Sequence, residues 1–257
     1  MVRGLAKFKE YFEEFPHNYV IIGGTACDLI IDHAGFVPRA TKDIDIILVV
    51  EALNAGFVKQ FWQFVQDGNY EHKEKSDEER KYYRFQKPGT LDFPYQIELF
   101  SRNPDLLDLD EDTYLTPIPT DDDHSSLSAI LMNDDFYHYM LEHSALENGL
   151  HRANIEAVIC LKAKAYLEIA ERIANGTRED SKQLRKHTGD VFRLAVILTE
   201  NDLFELPESI KADLQSFMDI ISRDIPGKEL YKEMGLGNIA PEKVYHQILK
   251  SFQLNGK

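Results

Sequence analysis

The feature that most restricts the fold of this chain is the segment 19–46, which reads YVIIGGTACDLIIDHAGFVPRATKDIDI. A short apolar run, Tyr19–Ile22, predicts a buried strand that leads directly into Gly23-Gly24-Thr25. A helical pattern follows, and the chain returns in residues 43–50, DIDIILVV, the strongest strand signal in the sequence. Strand, tight turn, helix and strand in this order predict an α/β domain.

Two aspartates stand one residue apart in the second of these strands. Because alternate strand residues share a face, Asp43 and Asp45 are predicted to project together, while Ile44 and Ile46 enter a core. Two like charges at a buried sheet end are costly unless a cation compensates them. Hard carboxylate oxygens favour Mg²⁺ or Mn²⁺ over zinc. The alternative is an exposed strand edge, which is the commoner explanation of an isolated Asp-x-Asp.

The glycine turn supplies a second signal. Gly23 and Gly24 allow the backbone to approach a phosphate closely, and the following helix N-terminus presents free N–H groups and a positive dipole end. Thr25 can cap that helix or donate to a phosphate oxygen. A plain strand-to-helix turn with a threonine cap is the alternative. The combination of this turn with the aspartate pair favours a phosphate site.

The remaining patterns predict an α/β domain in residues 1–145, followed by a helical domain in 146–257. The charged stretch 71–81 and the Asp- and Pro-rich stretch 103–125 are predicted to be surface segments. Further strands are predicted at Tyr82–Gln86 and 95–100, around a Pro-Gly turn, and a hairpin at 127–132 with 136–141. The predicted helices are residues 4–15, 25–34, 54–66, 154–175, 180–200, 207–222 and 241–252.

Composition restricts location and partners. The net charge of −15 argues against sequence-independent nucleic-acid binding over a broad basic face, although residues 151–193 are richer in basic than in acidic side chains. No apolar run is long enough to span a bilayer, and the N-terminal residues do not form an export signal. Cys27 and Cys160 make no disulfide framework and are predicted to be buried thiols. We expect a cytoplasmic protein without a membrane partner.

The apolar-Gly-Gly-Thr turn followed by Arg39-x-Thr-Lys-Asp-Ile-Asp-Ile resembles the DNA polymerase β nucleotidyltransferase superfamily, and most nearly its AbiEii/AbiGii-type toxin members. The resemblance implies a mixed sheet flanked by helices, in which Gly23, Gly24 and Thr25 hold the triphosphate of an NTP and Asp43 and Asp45 hold metal. The gap between the glycines and Asp43 is longer than in that group, with residues 35–39 resembling a small insertion.

The superfamily carries a third carboxylate on a later strand. The candidate here is Glu98, which stands among apolar residues in YQIELF, although the family more often has Asp at this position. By the resemblance Glu98 would bind the catalytic metal and assist deprotonation of the attacking hydroxyl. Asp92 is the competing acid, but it follows a Pro-Gly turn and has no strand context. A glutamate on the solvent face of an edge strand is the alternative for Glu98.

A second match lies in the helical half. Residues 161–167, LKAKAYL, are similar to the Leu-Lys-x-x-Ala helix of the AbiEii group, and SKQLRKHTGDV at 181–191 is similar to its Lys-Asp-x-x-Asp-Leu helix, with His187 in place of the first aspartate. The resemblance implies that Lys162 and Lys186 contact phosphate and that Asp190 orients Lys162 or the acceptor. Lys164 stays open as a substitute for Lys162, and a surface ion pair between Lys162 and Asp190 stays open as well.

Arg39 and Lys42 flank the aspartates and would either neutralise phosphate charge or pair with nearby acids. Together these observations predict a Mg²⁺-dependent (or Mn²⁺-dependent) enzyme that transfers a nucleoside monophosphate from an NTP to an acceptor hydroxyl. The toxin-like resemblance implies an RNA end such as tRNA, or a protein, as acceptor, and a possible antitoxin protein as partner. The alternatives are a small-molecule acceptor, as in antibiotic-modifying relatives, and a catalytically silent nucleotide- or partner-binding module.

Overall fold

The computed structural model describes residues 2–70, 82–100, 130, 133–176 and 181–256. The surface segments predicted at 71–81 and 103–125 lie outside these residues. No helix within the described ranges is both long enough and apolar enough to cross a membrane.

The centre of the fold is a six-stranded mixed sheet with the order β3-β4-β2-β1-β6-β5. Parallel pairing joins β2 to β4 and β1 to β6, and antiparallel pairing joins the other neighbours. The fold class predicted from sequence, a mixed sheet flanked by helices, is confirmed. The strands are β1 Tyr19–Ile22, β2 Asp43–Leu48, β3 Tyr82–Gln86, β4 Gln96–Phe100, β5 Ser144–Glu147 and β6 Leu150–Ala153.

The helices of the described residues follow most of the predicted ones closely. The third helix begins after Asn54, whose side-chain oxygen accepts the N–H of Phe57 at 3.0 Å, the usual N-cap arrangement. The short eighth helix was not predicted. The helices are α1 Leu5–Phe12, α2 Gly23–His33, α3 Ala55–Asp67, α4 Asp134–Glu142, α5 Ile155–Ala174, α6 Lys182–Ala195, α7 Glu208–Ile221, α8 Glu229–Lys232 and α9 Pro241–Ser251.

The hairpin predicted at 127–132 and 136–141 is wrong in its second half, which belongs to α4. Asn133 caps this helix, because its side-chain oxygen accepts the N–H groups of Asp135 at 2.9 Å and Phe136 at 3.3 Å. Buried Phe136 and Met140 stand one helical turn apart. Of the first half, only Ile130 is described. The hairpin of the structure is instead β5–β6, formed around Asn148-Gly149.

The chain forms two compact units, each built from separate stretches. The first contains the sheet and comprises Met1–Asp28, Ala40–Asp121 and Met140–Ala153. The second comprises Leu29–Arg39, Asp122–Tyr139 and Asn154–Lys257. The predicted boundary at residue 145 lies inside β5, and the sheet extends to Ala153. Division into two independently folding domains stays a prediction.

Each unit has its own core. In the first unit, α1 and α3 pack against one another through an aromatic cluster formed by Phe8, Phe12, Phe57, Phe61 and Phe64, all of them fully buried. In the second unit, α5 packs against both α6 and α7. Cys27 and Cys160 are buried and form no disulfide, as predicted.

Candidate functional site

The strand register of the first unit brings the three predicted carboxylates to neighbouring positions. Asp45 on β2 pairs with Glu98 on β4, and Asp43 pairs with Gln96. Paired residues on neighbouring strands point to the same face, so all three acids lie on one face of the sheet. Glu98 is 4% exposed, whereas Asp43 and Asp45 are half-buried. Ile44 lies on the opposite face and is fully buried, as predicted.

The glycine turn lies directly against these acids. On the other side of β2, Asp45 pairs with Ile22, the residue before Gly23. Gly23 has a φ of +65°, and a Cβ placed on it would be 2.0 Å from Oδ2 of Asp45. A Cβ on Gly24 would be 2.5 Å from Oγ1 of Thr41. Only glycine allows the start of α2 to lie this close to the carboxylate-bearing strand.

The side-chain hydroxyl of Thr25 makes a structural contact that the sequence did not predict. Its side chain is fully buried, and its hydroxyl donates a hydrogen bond of 2.5 Å to the backbone carbonyl of Asp43. The hydroxyl proton is therefore used inside the protein, and it ties the start of α2 to the start of β2. The backbone N–H groups of the first turn of α2 have no partner within the helix, so they are the groups suited to meet a phosphate.

Asp28 belongs to the same region and was missed by sequence reasoning. It is 3% exposed, and its Oδ2 accepts the backbone N–H of Thr41 at 2.6 Å. This contact holds the loop that leads into Asp43. The available signal was an acid placed one helical turn after Gly24 and directly between the apolar residues Cys27 and Leu29.

Glu98, rather than its competitor Asp92, lies beside Asp45. Asp92 is exposed and lies outside the strands. The Oε1 atom of Glu98 accepts hydrogen bonds from Nε of Arg84 at 2.8 Å and from Nε2 of Gln96 at 2.7 Å. Arg84 was not predicted, because its contact with Glu98 depends on the pairing of β3 with β4. The glutamate is therefore inward and ion-paired, and the solvent-face alternative is excluded.

The chemistry of these donors fits a hard divalent cation. Asp43, Asp45 and Glu98 offer carboxylate oxygens, which are the ligands that Mg²⁺ and Mn²⁺ prefer, and Glu98 is ion-paired with Arg84. As the side chains stand, no group of three His, Cys, Asp or Glu residues in the described part of the chain is arranged to hold a metal. Asp43 and Asp45 are the first candidates to bind the ion, with Glu98 held by its arginine.

The second unit contains a buried charge cluster around Asp190. This carboxylate is 1% exposed and lies 3.0 Å from Nζ of Lys162, which is itself 3% exposed, and 3.4 Å from Nε of half-buried Arg39. Burial alone would raise the pKa of Asp190, but Lys162 and Arg39 lower it below its usual value. The carboxylate is therefore favoured in its charged form, and both partners are buried, which excludes the surface ion pair considered above.

His187 faces the same cluster, and no hydrogen-bond partner for its Nδ1 exists among the described residues. Burial, reinforced by the positive charge of Lys162, lowers the pKa of His187 to about 3. The side chain is therefore neutral at pH 7. It stands where the resemblance has an aspartate, so this position adds no negative charge to the cluster.

The other predicted cations lie in different surroundings. Lys164 forms an ion pair of 3.1 Å with Asp213 on α7, whereas Lys162 contacts α6, so the two lysines serve different helix interfaces. Lys186 is exposed. Lys42 is exposed and forms no ion pair with any described residue. Arg39 pairs with Asp190, which is the second of the two roles that its sequence position allowed.

Comparison with known proteins does not identify a family: no protein-family model matches the chain, and no curated protein is significantly similar to it. Function therefore has to be inferred from the site. The first unit brings together the glycine turn and the acids Asp43, Asp45 and Glu98. The second unit separately brings together Lys162 and Asp190.

Proposed function

We propose that this protein is a nucleotidyltransferase that uses Mg²⁺ or Mn²⁺ and transfers a nucleoside monophosphate from an NTP to an acceptor hydroxyl. The observation that carries the proposal is that Gly23, Asp45 and Glu98 lie next to one another. An anion-accepting helix start lies against one carboxylate, and a second carboxylate is paired with that one on the neighbouring strand. A triphosphate and a divalent cation need these two kinds of group side by side.

In the proposed reaction, the acceptor hydroxyl attacks the α-phosphorus of the NTP. A new P–O bond forms, the bond between the α-phosphorus and its bridging oxygen breaks, pyrophosphate leaves, and the hydroxyl proton passes to a base or to solvent. The backbone N–H groups at Gly23–Thr25 would hold phosphate oxygens. Asp43 and Asp45 would hold the cation, which would neutralise negative charge on the phosphates.

The function is tested by incubating the purified protein with each of the four α-labelled NTPs, Mg²⁺ and a cell extract. We expect label to be transferred to an acceptor and transfer to be lost in Asp43→Asn and Asp45→Asn. Asp92→Asn is the matched control, because this acid is exposed and lies outside the strands. Transfer that continues unchanged in both site variants would exclude this site as the catalytic one.

Lys162 and Asp190 enter the proposal through the family resemblance, which gives them contact with phosphate and a positioning role. Their burial as an ion pair also has a purely structural explanation. A variant that folds normally but loses activity would distinguish the functional explanation from the structural one. Lys162→Arg keeps the charge and the ion pair while changing the shape of the donor. Reduced transfer at unchanged stability would support the functional role.

A second candidate function, a catalytically silent nucleotide-binding module, is favoured by one observation. Oε1 of Glu98 is occupied by Arg84 and Gln96. Calorimetry of NTP binding, combined with the transfer assay, distinguishes the enzyme from the silent module. Binding of an NTP with Mg²⁺ but no transfer to any acceptor would favour the silent module. Absence of binding would contradict both.

The acceptor is identified from the labelled product. RNA, protein and small molecules are distinguished by nuclease digestion, protease digestion and filtration of the product. The resemblance to AbiEii toxins favours a nuclease-sensitive product such as tRNA, with an antitoxin protein as a possible partner. A label that resists both enzymes and passes the filter would favour the small-molecule alternative.

A further inference from the structure

Arg84 occupies the end of a row that crosses four strands of the sheet. Ile22 on β1 pairs with Asp45 on β2, Asp45 pairs with Glu98 on β4, and Glu98 pairs with Arg84 on β3. Because paired residues share a face, these side chains lie side by side on the face that carries the candidate site. Like charges directly opposite one another repel, and the positive charge of Arg84 offsets part of this repulsion at Glu98.

The contact with Arg84 draws Glu98 toward one side of its strand. In the strand order β3-β4-β2, Arg84 lies on the side of β4 that faces away from Asp45. Its Nε binds Oε1 of Glu98 at 2.8 Å, so the contact holds the carboxylate toward β3. This orientation gives a physical reason why Asp43, Asp45 and Glu98 share a face and yet do not form a ready three-acid metal group in the described part of the chain.

The ion pair is protected from solvent. The side chains of Arg84 and Glu98 are 13% and 5% exposed, so water screens their attraction little. A second guanidinium nitrogen, Nη2, is buried and has no hydrogen-bond partner among the described residues. A guanidinium that is only partly satisfied in this way retains donor capacity on the site face of the sheet.

We propose that Arg84 is a positioning residue that holds Glu98 away from the metal site and competes with the cation for it. Divalent metal binding then requires Glu98 to exchange its arginine for the ion. This proposal rests on the metal site of the proposed function and adds a residue that sets the affinity of that site. It predicts that removing Arg84 makes the site bind metal more tightly through Glu98, whereas the loss of a nearby positive charge alone would tighten binding equally when Glu98 is also replaced.

The test measures binding of Mn²⁺ to the full chain by electron paramagnetic resonance, without nucleotide. Arg84→Met should lower the Kd for Mn²⁺ about tenfold, because it releases Glu98 from a charge-assisted hydrogen bond. Arg84→Gln is the second variant, with the same expectation, and circular dichroism checks that each variant is folded. Arg84→Lys keeps a positive charge beside Glu98 and should stay close to the wild-type affinity.

Arg152→Met is the matched control. Arg152 lies on β6, has the same 13% side-chain exposure as Arg84, and also pairs with a glutamate, Glu147. It pairs in register with Ile21, so it points to the opposite face of the sheet from Asp45. Its removal should not change the Kd for Mn²⁺.

A double variant tests whether the tighter Mn²⁺ binding expected of Arg84→Met depends on Glu98. If Arg84 acts through this carboxylate, Glu98→Gln combined with Arg84→Met should remove the tenfold gain. Unchanged or weaker Mn²⁺ binding in both Arg84→Met and Arg84→Gln would overturn the proposal while leaving the metal site intact. Wild-type Mn²⁺ binding that is absent, or that persists unchanged in Asp45→Asn, would instead overturn the metal site of the proposed function, and the role of Arg84 with it.

Discussion

Lys162 and Asp190 form an ion pair of 3.0 Å in which both side chains are almost completely removed from solvent. It joins α5 to α6. A second pair of nearly the same length, Lys164 with Asp213, joins α5 to α7, but its side chains are 26% and 27% exposed. The chain therefore contains two interhelical lysine–aspartate pairs that differ mainly in burial.

The first prediction compares these two pairs. Asp190→Asn should lower the free energy of unfolding by about 3 to 5 kcal/mol, because it leaves a lysine buried without its counter-ion. Asp213→Asn, at the exposed pair, should cost less than about 1 kcal/mol. Urea denaturation monitored by circular dichroism measures both. Equal losses in the two variants would contradict the importance assigned to burial.

The second prediction concerns pH. His187 has a pKa of about 3 in the folded protein and the ordinary value of 6.5 when unfolded, since burial and Lys162 disfavour its charged form. Between these values the unfolded chain binds the extra proton, so His187 makes stability fall as pH is lowered from 6.5 toward 3. The slope should reach about 1.4 kcal/mol per pH unit. His187→Gln should remove this part of the slope. The free energy of unfolding is measured by denaturation at each pH and compared with its value at pH 8.

The third prediction concerns the glycine turn. Gly23→Ala should destabilise the protein through its positive φ and through a clash with Asp45. Gly35 has a φ of +81° and open space around its Cβ position, so Gly35→Ala reports backbone strain alone. We expect Gly23→Ala to cost about 1 to 3 kcal/mol more than Gly35→Ala. Similar thermal stability of the two variants would show that the approach of Asp45 to the turn is not a constraint.

The fourth prediction concerns the bond between Thr25 and the backbone of Asp43. Thr25→Val has nearly the same shape but cannot donate to the buried carbonyl, so it should cost about 1 to 3 kcal/mol in unfolding free energy. Thr25→Ser keeps the hydroxyl and should cost less. Denaturant titration measures both. A larger loss in the serine variant would mean that the methyl group, rather than the hydroxyl, matters at this position.

Elements with a clear period and clear breaks were predictable from sequence. The strand Tyr19–Ile22 was predicted with its observed bounds, and the predicted alternation of β2 is confirmed by buried Ile44 and half-buried Asp43. The incorrect hairpin arose where Asn133 was treated as a turn residue, whereas it caps α4. An asparagine serves in both roles, so the local sequence left the choice to tertiary packing.

Contacts between distant segments were not predictable. Arg84 binds Glu98 because β3 and β4 are paired in one particular register, and a shift by one residue would turn both side chains to other faces. Asp28 holds the backbone of Thr41 because the loop before β2 returns to α2. Neither contact leaves a periodic signal in the sequence.

The sequence by itself determined which residues alternate, where glycine permits a tight turn and which strands carry acids, because these depend on neighbours along the chain. Only the tertiary structure decided that Glu98 stands next to Asp45, that Arg84 holds Glu98, and that Lys162 and Asp190 are buried together. The physical reason is that strand register and helix packing are set by the burial of whole faces, which no single segment encodes.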